Sequence, residues 1–201
     1  MIKNYIIVAL GNPGEEYVNT SHNVGRMVLD AFVKDQKLKD WQEDKKLKAL
    51  TVSGKVGKSN VVLIKPETFM NKSGESVKPV VKSKKVAETL VVVHDDLDLP
   101  LGRIKISFAS SSGGHKGVES IMRAIKTEEF IRLRLGISSE TAGGKIKKPA
   151  DEEKVIDAIL GEFKKTEADD LKKVIKKAAV ALELIIKEGR EKAASMLGML
   201  K

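Results

Sequence analysis

The sequence predicts an α/β fold built on a mixed β-sheet. Three observations carry this. Short apolar runs of strand length alternate with stretches of helical spacing, the pattern of α/β layering. Two of those runs are separated only by residues 57–60, which read as a hairpin, so an antiparallel pair joins the alternating units. The chain has 201 residues, of which 41% are hydrophobic, enough for one domain to bury its core without staples.

Residues 5–10 form an apolar run ending at glycine and read as a buried strand. Val24, Met27, Val28, Ala31 and Phe32 fall on one helical face, so a helix follows the first loop. Strands are expected at 50–56, 61–64, 90–93, 103–108 and 131–137, and helices at 71–82 and 115–125. Residues 141–149 read as a mobile loop. The last part, about 166–200, reads as an amphipathic helical region. Leu171, Val174, Ile175, Ala178, Leu182, Ile185 and Ile186 mark its apolar face, with Gly189 as a stop. Lys172, Lys173, Lys176 and Lys177 lie off that face, where most lysines are simply solvated. No internal repeat or low-complexity tract occurs.

The formal net charge is +9. A balance of this size favours an anionic partner, nucleic acid first, although lysine also serves solubility. Aromatic residues are only 4%, which argues against a stacking platform for single-stranded bases. Cysteine is absent, which removes disulfides and thiolate chemistry. The apolar run near the N-terminus is too short for a signal peptide or a membrane span. A cytoplasmic protein with no membrane partner is expected.

Polar residues gather just beyond the strands. Asn12 follows the first, Asn71 follows the run at 61–64, and Asp95 follows the run at 90–93. In open α/β sheets, ligands bind outside the carboxyl ends of strands. Any one of these residues alone is better read as a cap or turn. Together with His22 they point to a site. Histidine titrates near ~6.5 and suits a general base, and a helix N-terminus would disfavour its imidazolium. Asp95 could orient the ring and stabilise the cation. No Gly-x-Ser-x-Gly elbow occurs, so water is the expected nucleophile. Asn12 and Asn71 can donate amide hydrogens to a carbonyl or an oxyanion. Neither G-x-G-x-x-G nor a P-loop is present. His94, Asp95 and Asp98 are metal-type donors without a spaced histidine pair, so neither a metal nor a cofactor is expected.

At these residues the sequence resembles the bacterial peptidyl-tRNA hydrolase family. The matching segments are GNPGEEYVNTSHNVG at 11–25, KPETFMNKSGES at 65–76, VHDDLDLPLG at 93–102, FIRLRLGI at 130–137 and DAILGEF at 157–163. The resemblance implies a single α/β domain over residues 1–201, with a mixed twisted β-sheet surrounded by α-helices. It implies hydrolysis of the ester joining a peptide to the 3′ ribose of tRNA. By the same resemblance His22 is the base, Asp95 its partner, and Asn12 and Asn71 grip the substrate, with Asn12 tied to preference for N-blocked esters. Tyr17, Phe69 and Met70 match residues near the peptide and the 3′ adenosine.

The partner implied is peptidyl-tRNA, met through its acceptor arm and peptide by a monomeric chain. Lys105, Arg132 and Arg134 are the first candidates for its phosphates, with the Lys172–Lys177 face second to them. Arg132 and Arg134 share one strand face, so they grip adjacent phosphates or pair with buried acids. One departure stands out. The family's Gly-Gly-His-Asn-Gly reads here as Gly113-Gly114-His115-Lys116-Gly117. Lysine donates but cannot accept a hydrogen bond. If near His22, its charge would keep the base free at lower pH. A non-catalytic RNA-binding relative on the same fold is the alternative; joint retention of His22, Asp95, Asn12 and Asn71 favours the enzyme.

Overall fold

The first apolar run pairs on both sides, which makes it the centre of the sheet. The computed structural model describes residues 3–199 apart from 142, 148 and 150. Its strands are β1 (Asn4–Ala9), β2 (Gln42–Asp44), β3 (Ala49–Val56), β4 (Ser59–Pro66), β5 (Leu90–Pro100), β6 (Ile104–Phe108) and β7 (Ile131–Ser138). They form one mixed sheet of seven strands in the order β2-β3-β4-β1-β5-β7-β6. The four central strands β4, β1, β5 and β7 run parallel. β2 and β3, and β6 at the other edge, pair antiparallel, and the hairpin expected at 57–60 joins β3 to β4.

Side chains alternate across a strand, so β1 feeds two cores. Tyr5, Ile7 and Ala9 face a layer made by α1 (Val24–Asp35), α6 (Ala168–Glu188) and α7 (Arg190–Met199). Ile6, Val8 and Leu10 face the opposite layer, which includes α2 (Gly74–Val77), α3 (Lys84–Ala87) and α4 (Lys116–Ile125). The seventh helix among the described residues, α5 (Glu152–Leu160), buries none of its residues. Val28, Leu29 and Phe32 of α1 are fully buried, each worth roughly 1.5–3 kcal/mol. Packing of this strength fixes where α1 begins. Gly25 brings that start close to the sheet: a Cβ there would lie 2.6 Å from the Val93 carbonyl oxygen and 2.9 Å from that of Leu10.

Some expectations change. The stretch 71–82 is not one helix but a 3-10 turn (Met70–Lys72) and the single turn α2, because Gly74 presses against Ser120 of α4 and Pro79 cannot continue a helix. β5 extends well past residue 93, since its backbone stays paired with β7 with an irregularity between Asp96 and Pro100. Around the expected loop Glu140 and Ile146 form an isolated antiparallel bridge; positions 142 and 148 lie outside the described residues. Gly189 ends α6 with φ 86, but α7 follows at once. Among the described residues no helix is long and apolar enough to cross a membrane.

Candidate active site

From β1 the chain passes to β4 on one side of the sheet, then returns to β5 on the other side of β1. The carboxyl ends of β1 and β5 therefore form a switch point, where an open parallel sheet leaves a crevice. Asn12 follows β1, and Asp95 lies within β5. His22 and Asn23 sit in a 3-10 turn (Ser21–Asn23) just ahead of α1. Three elements thus deliver the expected residues to one end of the sheet.

His22 Nδ1 lies 2.9 Å from Asp95 Oδ1, and both side chains are buried. An ionised carboxylate only accepts, so His22 Nδ1 carries the hydrogen and Nε2 is left as the basic nitrogen. A second ring meets the same oxygen: His115 Nε2 is also 2.9 Å from Asp95 Oδ1. Here the tautomer follows from the backbone. The N–H groups of Gly117 and Val118 donate to His115 Nδ1 at 3.2 and 3.4 Å, so the ring proton is on Nε2. His115 thereby caps α4. Gly113 and Gly114, with φ 64 and 82, supply the left-handed turn that brings the chain into that cap.

Burial opposes charge on His22, but the Asp95 carboxylate and its hydrogen bond outweigh it, and the His22 pKa is raised above the ordinary histidine value. The disfavouring effect expected from a helix N-terminus is thus not the one that decides. Burial would raise Asp95, yet His22 and His115 hold its carboxyl well below the usual carboxylate range. His94 Nδ1 donates to the Asp95 carbonyl at 2.6 Å. Its Nε2 is buried without a partner, and burial pushes its pKa well below 6.5, so it stays neutral. His22, Asp95 and His115 have metal-type donors within 4.8 Å of one another. The nitrogens that point at Asp95 carry protons, however, and the hydrogen bonds satisfy the geometry without a cation.

Asn12 is held on three sides. Its N–H donates to Asn23 Oδ1 at 2.8 Å, and Asn23 Nδ2 donates back to its carbonyl at 2.9 Å. The Met70 N–H donates to Asn12 Oδ1 at 2.9 Å. That bond orients the amide and leaves Nδ2 as a free donor. Met70 contributes through its backbone and its buried side chain, while its neighbours Phe69 and Asn71 are exposed. Tyr17 is half-buried in the 3-10 turn Glu15–Tyr17. Asn23 escaped the sequence reading as a site residue; the signal was a second buried amide beside His22.

A cleft of about 460 Å³ opens over His22, Asp95 and His115, walled opposite by Val155, Ile156 and Ile159 of α5. Ser21 N–H and Oγ both donate to the Gly161 carbonyl, which ties the end of α5 to the His22 turn. Lys116 reaches the rim of this cleft, but its side chain is 69% exposed and lies 4.0 Å from Glu119. A second hollow of about 320 Å³ lies beyond Asn12 and Asn23, with Arg26, Met27 and Lys65 in its wall.

Of the basic candidates, Arg134 meets this cleft only through Asp96, and Lys105 lies away from it. Arg132 is buried, and its guanidinium donates to Ser110 Oγ. Arg134 pairs with Asp96. Of the two alternatives for these arginines, internal pairing is the one their surroundings satisfy: Arg134 with an acid, Arg132 with a hydroxyl. Lys105 is exposed on β6, and with Arg103 and Lys177 it lines a groove of about 320 Å³ against α7.

Known proteins resemble this chain over nearly its whole length. The family model described as peptidyl-tRNA hydrolase matches residues 6–200. A peptidyl-tRNA hydrolase of Bacillus subtilis is 40% identical over 179 residues, covering 89% of each chain. One from a Sulfurihydrogenibium species is 40% identical over 195 residues, covering 94% of this chain and 95% of its own. The crystal structure of peptidyl-tRNA hydrolase from Acinetobacter baumannii superposes with TM-score 0.85 at 29% identity, over 98% of this chain and 96% of that one. The chain belongs to the bacterial peptidyl-tRNA hydrolase family, a family of hydrolase enzymes.

Proposed function

We propose that this chain hydrolyses the ester between an N-blocked peptide and the 3′ ribose of tRNA, using water activated by the His22–Asp95 pair. The observation that carries the reading is the His22 Nδ1–Asp95 Oδ1 hydrogen bond of 2.9 Å beneath an open cleft. It leaves Nε2 of a residue in the cleft wall free to take a proton. A water seated against Nε2 loses that proton as its oxygen attacks the ester carbonyl carbon. The tetrahedral oxyanion accepts a hydrogen bond from Asn12 Nδ2, the donor left by the Met70 contact. The imidazolium, stabilised by Asp95, returns the proton to the departing ribose oxygen. The products are a peptide carboxylate and a tRNA with a free 3′ end.

The placement of the other groups supports the same substrate. The apolar wall of α5 suits a base or an apolar side chain, and the hollow beyond Asn12 offers room for the peptide. Phe69 and Asn71 are exposed on either side of Met70, whose N–H holds Asn12, and are the candidates with Tyr17 to touch the substrate; Lys116 at the rim can meet a terminal phosphate. For the acceptor arm, exposed Lys105 with Arg103 is the better candidate grip, since Arg132 and Arg134 are engaged inside the protein. The test is incubation with N-acetyl-aminoacyl-tRNA and with unblocked aminoacyl-tRNA, scoring deacylated tRNA. Release from the blocked substrate only is expected. Tight tRNA binding with no release from either would favour the non-catalytic RNA binder.

A further inference from the structure

Two N–H donors converge on Asp95 Oδ1, and they are free to behave differently. His22 has one nitrogen on the carboxylate and one left over. His115 has both nitrogens committed, one to Asp95 and one to the first amides of α4. We propose that His115 is a positioning residue that lowers the proton affinity of His22 by holding a fixed share of the Asp95 Oδ1 charge, so that the cap of α4 tunes the base.

The geometry gives His115 little freedom. Rotating its ring by half a turn would put the carbons Cδ2 and Cε1 where Nδ1 and Nε2 now meet their partners. The His94 ring packs edge-on against it with centroids 4.7 Å apart, and the His22 ring lies tilted at 4.9 Å. A carboxylate oxygen has two lone pairs, and the two histidines use both. Each donation stabilises the anion and so reduces what it offers to the other donor. Removing the His115 donor leaves more of the charge for a His22 imidazolium, which raises the His22 pKa.

The other charged groups facing His22 do not substitute for this one. His94 is kept neutral by burial, and Asp96 is held by Arg134. Lys116 and Glu152 lie on the cleft rim and are solvent-exposed. The inference rests on His22 being the base, so its readout is chosen to be independent of turnover.

Two amide substitutions separate the roles of the ring. In His115→Asn the amide oxygen stands near Nδ1 and can cap α4, since Asn is a favoured N-cap, but the side chain is too short to reach Asp95. In His115→Gln the amide nitrogen stands near Nε2 and can donate to Asp95, while the cap is lost. The chain has three histidines, so imidazole resonances can be followed by NMR titration in the full-length protein. His22 in His115→Asn should titrate roughly 0.5–1 pH unit above wild type, an effect of the size set by one altered charged hydrogen bond. In His115→Gln it should stay near the wild-type value even though the melting temperature falls. His115→Ala should show both changes, and it serves with Gln if the Asn variant does not fold. The acidic limb of kcat/KM should move with the NMR value. An unshifted His22 in Asn and Ala would overturn the proposal, because water would then replace the donor without effect. Equal shifts in Asn and Gln would also overturn it, by tracing the change to the loop and not to the donor. An activity profile that ignored a shifted His22 would instead count against His22 as the base.

Discussion

Replacing Asp95 by Asn isolates charge from shape. The carboxyl is buried and ionised, with His22 Nδ1 and His115 Nε2 both at 2.9 Å from Oδ1. An amide oxygen at the same place can accept both bonds, so the packing survives while the negative charge is lost. The charge centres of a His22 imidazolium and Asp95 would lie about 4 Å apart, an attraction of roughly 4 kcal/mol at an effective dielectric constant of about 20. At about 1.4 kcal/mol per tenfold, this corresponds to roughly 10³ in rate if it is realised only in the transition state. The expected result is a kcat lower by roughly 10²–10⁴ with KM little changed.

The pH dependence has a definite sign. In the wild type the Asp95 charge raises the His22 pKa against burial. In Asp95→Asn the burial remains and the charge is gone, so the acidic limb of kcat/KM moves to lower pH even as the plateau falls. Stability follows the same linkage. A raised histidine pKa contributes stability that is full below about pH 6.5 and is lost as pH rises through the folded value. Urea midpoints at pH 5.5 and 8.5 should show that loss in the wild type and not in the variant. The assay is turnover of N-acetyl-aminoacyl-tRNA between pH 5 and 9. Retention of more than about a tenth of wild-type kcat, or a limb that moves upward, would refute the reasoning.

His22→Ala should lower turnover by roughly 10²–10⁴ while circular dichroism and tRNA affinity stay near wild type; substantial residual activity would place the base elsewhere. Activity should survive exhaustive chelation with EDTA, because the donor nitrogens facing Asp95 carry protons; a loss restored by zinc or manganese would contradict this tautomer assignment. tRNA affinity should fall linearly in a plot of log K against log salt, and Lys105→Ala should reduce the slope by about 1. Arg132→Ala should lower the melting temperature and leave the slope alone, since that guanidinium is buried. Lys116→Asn should raise the acidic limb only slightly, less than about 0.3 pH unit, because the exposed ammonium beside Glu119 is screened. A full-unit shift would mean that Lys116 turns into the cleft when substrate binds.

The central strands were legible because burial on both faces demands continuous apolar runs, and the local signal matches the tertiary requirement. The edge strand β2 reads Gln-Glu-Asp and carries no such signal; it exists because β3 offers it hydrogen bonds. α5 was missed for a related reason. Its apolar residues Ile156 and Leu160 are 47% and 39% exposed, so it lacks the buried stripe that identifies a core helix. Arg132 shows the limit of period-two reading. Alternation states that Arg132 and Arg134 share a face of β7, but not that Ser110 and Asp96 wait there to bind them.

At the site, Asn12, Asn71 and Asp95 were legible as polar residues beyond the ends of apolar strands, and His22 as a histidine ahead of the first helix. The exception to that pattern is His115, which shares Asp95 yet enters from a glycine-rich loop and read only as the first residue of an expected helix. It is a helix cap, and that is the point. The two amides that open α4 take one nitrogen of the ring, which forces the proton onto the other and aims it at Asp95. A local backbone requirement thereby fixes the protonation of a group that touches the proposed base. Sequence can supply each residue, but the direction of a shared hydrogen bond depends on which lone pairs the backbone has already used.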